Sequence, residues 1–218
     1  MRGECRGVQD IFGVKSAPLR SRAIKRSFDM VASAGALVVL AVPMSIVSAV
    51  ILMDSGRPVI FRQERLGLHA RPFTMLKFRT MLVGAQDTGT GLFSYHDDPR
   101  VTRAGKWLRA LSLDEMPQMI NVLRGDMSVV GPRPPVVGEL GAVEDFTAEM
   151  RRRFIMRPGV TGLAQVSGRN ELKWDEKIKW DNLYIEQYSE RGIRVDITIL
   201  LRTVGSVLRR HGVVEAES

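Results

Sequence analysis

Residues 30–53 read MVASAGALVVLAVPMSIVSAVILM, 24 consecutive positions without a charge, bracketed by Asp29 and Asp54. As a helix rising 1.5 Å per residue, this run would be roughly 36 Å long, which is enough to cross a bilayer core. Length alone therefore favours a transmembrane anchor. A buried core helix is disfavoured because soluble helices of this length carry a polar face. A cleaved signal peptide is also disfavoured, because its basic leader would be about 29 residues long.

Two features of the apolar run argue against a simple span. Pro43 lies near its middle, where it removes a backbone donor and restricts Val42. Basic residues stand on both sides, and the positive-inside rule places such residues in the cytoplasm. We therefore predict a re-entrant helix-break-helix hairpin over residues 25–54, broken at Pro43, with both flanks cytoplasmic. The flanking cations are Arg2, Arg6, Lys15, Arg20, Arg22, Lys25 and Arg26 before the run, and Arg57, Arg62, Arg65, Arg71, Lys77 and Arg79 after it.

The composition narrows the remaining function classes. The 218 residues contain 32 Lys and Arg against 24 Asp and Glu, a formal net charge of +8. A single cysteine, Cys5, excludes a disulfide framework, a cysteine zinc site and an iron–sulfur cluster. The three histidines lack metal-binding spacing. The positive charge indicates an anionic partner: nucleic acid, a lipid headgroup or a phosphorylated substrate.

The rest of the chain predicts an α-rich α+β fold, with a small folded domain after the apolar run and amphipathic helices. Residues 1–24 are expected to form a basic mobile arm beside anionic lipid, residues 55–212 the folded domain, which the resemblance described below makes a cytosolic catalytic domain, and residues 213–218 a frayed tail. Periodicity and turn residues predict the elements in between. They are strands at 58–61 and 72–76, a loop at 84–98, and helices at 102–111, 112–123, 174–188 and 195–210.

The segment Ser112-Leu-Asp-Glu115 is the first candidate for chemistry. Its Ser-x-x-Glu spacing predicts a helix capping box, although Pro117 also resembles a helix start. A capping box leaves Asp114 unexplained. In a first helical turn the helix dipole would favour the ionised form of Asp114. An ionised aspartate can attack phosphorus or bind Mg²⁺.

Three loops rich in proline or glycine each carry an arginine. Arg133 lies between two prolines in Gly131-Pro-Arg-Pro134, Arg157 precedes Pro158-Gly159, and Arg169 follows Gly168. A restricted backbone can orient a guanidinium toward phosphate oxygens. Each loop alone is equally well explained as a turn with a solvated arginine. Together, the three loops favour an anion site.

Three further segments carry weaker signals. Lys77-Phe-Arg-Thr-Met81 fits either an edge strand or the wall of a phosphate pocket. In the helix at 174–188, Asp181 interrupts an apolar stripe, so it needs a buried partner, either an arginine or a metal-bound ligand. The last helix has an apolar face that fits either a core or a membrane interface.

In this order, these segments resemble the bacterial sugar transferases, the monotopic phosphoglycosyl transferases. Each motif alone is weak, but the ordered set is specific, and it covers residues 25 to about 212. The matching segments are Lys25-Arg-Ser-Phe-Asp29, Phe61-Arg-Gln-Glu-Arg65, Lys77-Phe-Arg-Thr-Met81, Asp98-Pro-Arg-Val-Thr102, Leu108-Arg109, Ser112-Leu-Asp-Glu-Met-Pro-Gln118, Gly125-Asp-Met-Ser128, Val130-Gly-Pro-Arg-Pro134, Arg157-Pro-Gly-Val-Thr-Gly162, Gln165, Gly168-Arg-Asn170, Asp181 and Tyr184.

The resemblance implies an activity and a place in the cell. The family moves a sugar 1-phosphate from a UDP-sugar to polyprenyl (undecaprenyl) phosphate and releases UMP, which starts polysaccharide or glycoconjugate synthesis. It works at the bacterial inner membrane, with the catalytic domain on the cytoplasmic face. Family members differ in the sugar that they transfer, and the sequence does not specify it.

The resemblance also implies roles for particular residues. Asp114 would be the nucleophile of a ping-pong cycle through a covalent phosphosugar, with Glu115 its acid/base or metal-binding neighbour. Both carboxylates are candidate ligands of Mg²⁺, the implied cofactor. The other implied site residues would contact phosphates, uridine or other parts of the substrate. They are Lys77, Arg79, Arg109, Arg133, Arg157, Arg169, Gln165 and Asp181.

Small departures from the family pattern are visible, and one alternative function remains. Val42 stands where the family usually has a serine before the proline of the hairpin, so a hydroxyl that would help satisfy the broken backbone is absent. The alternative is a membrane-anchored scaffold or nucleic-acid-binding protein. It is disfavoured because the arginines are spread among Pro/Gly loops and are not interleaved with stacking aromatics. The expected partners are therefore the UDP-sugar, polyprenyl phosphate and an anionic membrane surface, with no nucleic acid.

Overall fold

The computed structural model describes residues 19–85, 98–168 and 172–208. The described part is mostly helical with two small sheets, which agrees with the predicted α-rich α+β class. Residues 1–18 of the predicted mobile arm, most of the 84–98 loop and the tail at 213–218 lie outside the described residues. Residues 19–24, also predicted to belong to the arm, instead form the start of the first helix, so that part of the prediction is wrong. The helices are α1 (Leu19–Ser55), α2 (Arg103–Ala110), α3 (Gln118–Arg124), α4 (Ala148–Arg152), α5 (Leu163–Ser167), α6 (Trp174–Arg191) and α7 (Ile193–Leu208), and the strands are β1 (Ile60–Leu66), β2 (Pro72–Phe78), β3 (Ser128–Val130) and β4 (Gly159–Thr161).

The apolar run forms the long helix α1. Arg22–Ser55 is long and apolar enough to cross a membrane by length and composition. The predicted interruption at Pro43 is not confirmed, because the helix continues through that residue. Two serines beyond it donate hydroxyl hydrogen bonds one turn back, Ser45 to the Ala41 carbonyl and Ser48 to the Met44 carbonyl. These bonds satisfy the serine hydroxyls inside an otherwise apolar segment.

α1 packs on the folded domain near both of its ends. Near its start, Lys25 and Asp29 are buried, and near its end Val47 and Ile51 are buried, whereas no residue at positions 34–46 is buried. The four-residue step at each end, and the 18 residues (about five turns) from Asp29 to Val47, keep these positions on one side of the helix. The other side is exposed and apolar; it carries Val31, Val38, Val39, Val42, Ile46 and Met53. The helix is thus a structural part of the domain that also presents a continuous apolar surface.

Strands β1 and β2 form an antiparallel hairpin in register from Ile60 opposite Phe78 to Leu66 opposite Pro72. Both predicted strands are present, but β2 extends two residues beyond the predicted 72–76, and β1 begins at Ile60 and shares only residues 60–61 with the predicted 58–61. Phe78 packs with Val47 and Ile51 of α1 and with Leu108 of α2. The hairpin therefore joins the end of α1 to the folded domain.

The main core lies between α3, α6, α7 and β3. The predicted stripe of α6 is buried there through Ile185 and Tyr188, which pack with Val122, Val130 and other residues of that core. The last helix contributes to the core, one of its two predicted roles, and the membrane-interface role stays a prediction. Ile199 is buried in the core, whereas further apolar side chains of α7 are exposed, namely Ile197, Leu201 and Val204.

Two arginine loops meet where β3 and β4 pair in parallel. The Gly131 amide donates to the Thr161 carbonyl at 2.9 Å, and the Gly159 amide donates to the Pro132 carbonyl at 2.9 Å. A Cβ atom on Gly131 would lie 2.4 Å from the Arg157 carbonyl oxygen. Glycine is therefore required for the close approach that brings the Gly131–Pro134 and Arg157–Gly162 loops together.

The predicted helix at 112–123 is wrong in its first half. Leu113–Glu115 form a 3₁₀ turn, and α3 begins only at Gln118, after Pro117. The predicted capping box is also wrong, because Ser112 adopts a left-handed conformation (φ 55°) and its side chain caps nothing. Pro117 favours the start of α3 at that point. The preceding 3₁₀ turn, which carries Asp114 and Glu115, therefore lies outside the helix.

Candidate active site

The Asp114–Glu115 pair lies on the 3₁₀ turn between α2 and α3. The Asp114 side chain is buried and that of Glu115 is half-buried. Lys77 of β2 approaches both: its Nζ atom is 3.3 Å from Glu115 Oε1 and 4.0 Å from Asp114 Oδ2. The hairpin thus brings a cation from a distant part of the sequence to both carboxylates.

Further cations surround Glu115 in a small pocket. Arg133 Nη1 lies 4.0 Å from Glu115 Oε1. Arg65 and Gln118 also line the pocket, and the backbone of Gly159 and Val160 forms part of its wall. The Arg65 guanidinium is held in place by Gln63 Oε1, at 2.7 and 3.0 Å, and by the Pro134 carbonyl at 2.8 Å. The pocket therefore places Glu115 among three cations, Lys77, Arg133 and the tethered Arg65, and Lys77 also approaches the neighbouring Asp114.

The two carboxyl groups have opposite pKa shifts. Burial raises the pKa of Asp114, and the charge of Glu115 adds to this, whereas Lys77 and Arg109 oppose it. Burial alone would also raise the pKa of Glu115, but Lys77 and Arg133 outweigh it and lower that pKa. The expected preference of Asp114 for its ionised form is thus wrong for the protein alone, because burial overrides the weak dipole of a single turn.

Arg109 and Arg79 occupy different surroundings. The Arg109 Nε atom donates to Thr80 Oγ1 at 2.9 Å, and its charge acts on Asp114. Arg79 lies instead beneath the end of α1, where its guanidinium donates to the Ser55, Gly56 and Arg57 carbonyls at 2.8–2.9 Å. Arg109 therefore lies close enough to Asp114 to affect its charge, whereas Arg79 caps the C-terminal end of α1.

The other predicted substrate-binding residues are dispersed. Arg157 does not contact Asp114 or Glu115. Its Nε atom donates to the Gly125 carbonyl, at the C-terminal end of α3. Gln165 lies next to Gly162, and neither the nitrogen nor the oxygen of its buried side-chain amide has a hydrogen-bond partner. Gln165 therefore has unused hydrogen-bonding capacity that a ligand can satisfy. Arg169 falls outside the described residues.

Asp181 meets an arginine, one of the two partners that the sequence predicted. Its Oδ2 atom is 2.7 Å from Arg153 Nη2, and both side chains are buried. Burial raises the pKa of Asp181 to about 6 against the opposing charge of Arg153. The same Arg153 nitrogen donates to the Arg133 carbonyl at 2.6 Å. Asp181 is thereby linked through Arg153 to the loop that carries Arg133 into the pocket.

Sequence reasoning missed Arg65, Gln118 and Arg153. Arg65 was counted as a flanking cation and quoted as the end of a motif, but its place in the pocket depends on the pairing of β1 with β2. Gln118 was quoted only as the end of a motif. Arg153 stands in Arg151-Arg-Arg153, a run that reads as a solvated helix face. Its burial beside the rings of Phe154 and Trp174 becomes visible only in three dimensions.

The acidic pair is compatible with Mg²⁺. Within the described residues no group of three or more His, Cys, Asp or Glu side chains is placed to hold a metal alone. Mg²⁺ is commonly held by one or two carboxylates together with substrate phosphates and water. Asp114 and Glu115 supply carboxylates of this kind, and Lys77 and Arg133 lie beside them as cations that suit phosphate oxygens.

An acidic pair beside several cations, in a protein with an exposed apolar helix, is a candidate site for an anionic substrate. Comparison with known proteins is more specific. Residues 20–210 match the model of the family described as bacterial sugar transferase. The chain belongs to this family, and it is therefore a sugar transferase.

Several characterised or named relatives are similar over most of this chain. The uncharacterized sugar transferase EpsL of Bacillus subtilis is 40% identical over 190 residues, which are 87% of this chain and 90% of EpsL. The exopolysaccharide production protein ExoY of Sinorhizobium fredii is 36% identical over 202 residues, 86% of this chain and 87% of ExoY. The undecaprenyl-phosphate galactose phosphotransferase of Salmonella typhimurium is 37% identical over 206 residues, 88% of this chain but only 42% of that enzyme.

Proposed function

We propose that the protein transfers a sugar 1-phosphate from a UDP-sugar to polyprenyl phosphate, giving a polyprenyl diphosphate sugar and UMP. The observation that carries this proposal is the Asp114–Glu115 pair: Lys77 contacts both carboxylates, Arg133 contacts Glu115, and Arg65 lines the same pocket as Glu115. Phosphoryl transfer needs positioning and neutralisation of charge more than proton transfer, and these cations suit both needs. The relative from Salmonella typhimurium is named an undecaprenyl-phosphate galactose phosphotransferase, which supports an undecaprenyl phosphate acceptor.

In the first half of the reaction, a carboxylate oxygen of Asp114 attacks the phosphorus that carries the sugar. A new bond forms between that oxygen and phosphorus, and the bond to the bridging oxygen of the diphosphate breaks, so that UMP leaves with the electron pair. In the second half, an oxygen of polyprenyl phosphate attacks the same phosphorus and releases the Asp114 carboxylate. Splitting the transfer in this way needs only one nucleophile from the protein, because the polyprenyl phosphate supplies the second.

Charge in the pocket supports this order of events. Asp114 must be ionised to attack, and burial opposes ionisation in the protein alone. Lys77 and Arg109 both lower the pKa of Asp114, and they are placed to stabilise its anion. Glu115, whose pKa is lowered, is ionised throughout and suits the role of a metal-binding neighbour.

The proposed cofactor is Mg²⁺, bound by Asp114, Glu115 or both, together with the diphosphate of the donor. When bound, the ion neutralises charge on the diphosphate. Lys77 and Arg133 would then be free to exchange their long contacts with the carboxylates for contacts with phosphate oxygens. The lengths of those contacts, 3.3 and 4.0 Å, support such an exchange.

We further propose that α1 enters the bacterial inner membrane from the cytoplasmic side without crossing it. Both of its ends are bound to the same folded domain: Lys25 Nζ contacts Asp196 Oδ2 at 2.6 Å, and Asp54 Oδ2 accepts from the Ala104 amide at 3.2 Å. A spanning helix would carry one of these polar ends across the bilayer, together with its partners. Re-entry keeps both ends, and the active site, at the cytoplasmic surface.

The activity is tested by incubating the purified protein with Mg²⁺ and a panel of UDP-sugars, with and without polyprenyl phosphate, and by measuring UMP. UMP and a polyprenyl diphosphate sugar should both accumulate when all components are present. Release of UDP would indicate a conventional glycosyltransferase, and release of no nucleotide would indicate a scaffold or binding protein. The panel also identifies the sugar.

The membrane topology is tested with single cysteines in a Cys5→Ser background. Ser27→Cys and Arg62→Cys place exposed thiols before and after the apolar run. In right-side-out spheroplasts, a membrane-impermeant maleimide should label neither, and in inverted vesicles it should label both. Labelling of the two positions from opposite sides would contradict re-entry.

A further inference from the structure

Four arginines gather at the start of the membrane helix, away from the dyad. This arginine cluster consists of Arg22, Arg26, Arg71 and Arg157. Arg22 and Arg26 lie one turn apart on α1, Arg71 precedes β2, and Arg157 precedes β4. The cluster therefore unites three separate parts of the chain.

Two members of the cluster meet at the end of α3. Arg26 donates to the Val122 and Leu123 carbonyls at 2.7 and 3.0 Å, and Arg157 donates to the Gly125 carbonyl at 2.8 Å. A cation suits a helix C-terminus, so capping alone explains these two residues. It does not explain why Arg22 and Arg71, which are both exposed, lie within electrostatic range of the same place.

The mutual repulsion within the cluster is visible in two titrating groups. The pKa of Arg157 is lowered by burial and by the charges of Arg26 and Arg22. The pKa of His69 is lowered by burial and by Arg71, Arg22 and Arg157. The His69 Nδ1 atom is buried without a hydrogen-bond partner. An anion at this position would relieve the repulsion.

Among the described residues, two carboxylates act on Arg157, those of Asp29 and Asp126, and both are already engaged. Asp29 Oδ1 accepts from Ser128 Oγ at 3.0 Å and from the Val129 amide at 2.9 Å, and Asp126 Oδ2 accepts from Asn121 at 3.2 Å. The acidic groups that act on Arg157 thus already have partners of their own.

The position of the cluster indicates the source of the missing anion. It lies at the start of α1, a few residues before the uncharged run begins at Met30. The dyad adjoins the opposite end of α3, a helix of seven residues. At about 1.5 Å per residue, the two ends are roughly 10 Å apart, so one phosphate cannot contact both sites.

We propose that the arginine cluster binds the phosphate of an anionic membrane lipid headgroup, at a site separate from the catalytic pocket. Guanidinium groups pair well with phosphate oxygens, and headgroup phosphates lie at the depth where a membrane-inserted apolar run begins. The proposal rests on the membrane location proposed above. It does not depend on the catalytic mechanism.

The test is a titration of the full-length protein in neutral detergent, read as a change in Tm. The probes are dioctanoyl phosphatidylglycerol, dioctanoyl phosphatidylcholine and inorganic phosphate. Arg22→Gln/Arg71→Gln removes the two exposed members of the cluster. Arg62→Gln/Lys179→Gln removes the same charge from exposed positions elsewhere, and the single variants replace the double variant if it fails to fold.

Phosphatidylglycerol should raise the Tm of the wild-type protein and of the control at much lower concentration than phosphatidylcholine does. The Arg22→Gln/Arg71→Gln variant should need at least about tenfold more phosphatidylglycerol for the same rise, as expected for the loss of about 1.4 kcal/mol of binding free energy. Asp114→Asn should respond as the wild type does, which separates this site from the proposed catalysis.

Three results would overturn the proposal. Equal responses to the two lipids would show that the headgroup charge is not recognised. An equal response from inorganic phosphate would assign the cluster to a soluble anion. A raised KM for polyprenyl phosphate in the double variant, with an unchanged response to phosphatidylglycerol, would assign the cluster to the acceptor.

Discussion

Opposite charges meet in two kinds of place in this protein, and the two differ in geometry. In the catalytic pocket, Lys77 and Arg133 lie 3.3–4.0 Å from the carboxylates, and the side chains are 12–29% exposed. In the interior, the Lys25–Asp196 and Arg153–Asp181 pairs are 2.6 and 2.7 Å long and at most 8% exposed. Long, partly solvated pairs can exchange partners for a substrate, whereas short, buried pairs hold the fold.

The interior pairs also connect to the pocket. Lys25 Nζ donates to the Val130 carbonyl at 2.9 Å, next to Gly131, and Tyr184 donates to Asp196 at 2.8 Å. Arg153 binds the Arg133 carbonyl from the other side. The Gly131–Pro134 loop is thus held at two points by buried charges while its arginine stays adjustable in the pocket.

The largest effect expected in the pocket follows from Asp114→Asn. An amide cannot act as the nucleophile, so UMP release should fall by at least about a thousandfold. Because burial disfavours the Asp114 carboxylate, the neutral amide should not lower the Tm in detergent. Asp175→Asn, at an exposed position of α6, is the matched control and should keep normal turnover. Wild-type rates in Asp114→Asn would refute the assignment of the nucleophile.

In the interior, Lys25→Met should mainly affect stability. It leaves Asp196 buried without its cation, and breaking such a pair costs about 3–5 kcal/mol. The Tm in detergent should fall by about 10 °C, as judged by differential scanning fluorimetry. Lys179→Met, at an exposed position, should change the Tm little. A Tm within a degree or two of the wild type would mean that the pair does not hold α1 to the domain.

Arg133→Gln tests whether a long, partly solvated ion pair in the pocket serves substrate binding more than stability. Loss of one charge-assisted contact with phosphate costs about 1.5–3 kcal/mol, so kcat/KM for the UDP-sugar should fall about 10- to 150-fold. The Tm should stay close to that of the wild type because the side chain is partly solvated. The exposed Arg62→Gln is the control. A large fall in Tm with little change in kcat/KM would place Arg133 among the structural pairs.

The smallest expected effect is a shift in pH dependence caused by Lys77→Gln. The raised pKa of Asp114 means that its ionised form is lost as the pH falls through that pKa, above the usual value for aspartate. Lys77 opposes the rise, so its removal should move the acidic limb of the kcat/KM profile to higher pH. Lys179→Gln should leave the limb in place. An unmoved limb in Lys77→Gln would show that Asp114 does not control it.

The sequence predicted local features well and long-range placement less well. The uncharged run, the stripe of α6 and the glycine-bound arginine loops are periodic or contiguous patterns, and the structure contains all three. The surroundings of Asp114 depend on Lys77, which lies 37 positions away, and only the β1–β2 hairpin fixes that contact. The capping box failed because Pro117 sets the start of α3, leaving Ser112 in a left-handed turn.

Arginines in similar sequence motifs lie in different environments in the structure. Arg79, Arg133 and Arg157 are all arginines in motifs with proline, glycine or alternating apolar residues. One caps α1, one enters the pocket and one joins the arginine cluster. Residue type and local turn chemistry do not encode which of these environments a side chain reaches, because packing of distant elements decides it.

The docking of α1 at both ends has a consequence for dissection of the enzyme. Removing residues 1–54 would strip Val47 and Ile51 from the Phe78 cluster, and would leave Asp196 without Lys25. A truncated protein should therefore aggregate, and a foreign lipid anchor fused in place of α1 should not rescue it. The helix is exchangeable only together with the surfaces that receive it, so we expect the two to change in concert during evolution.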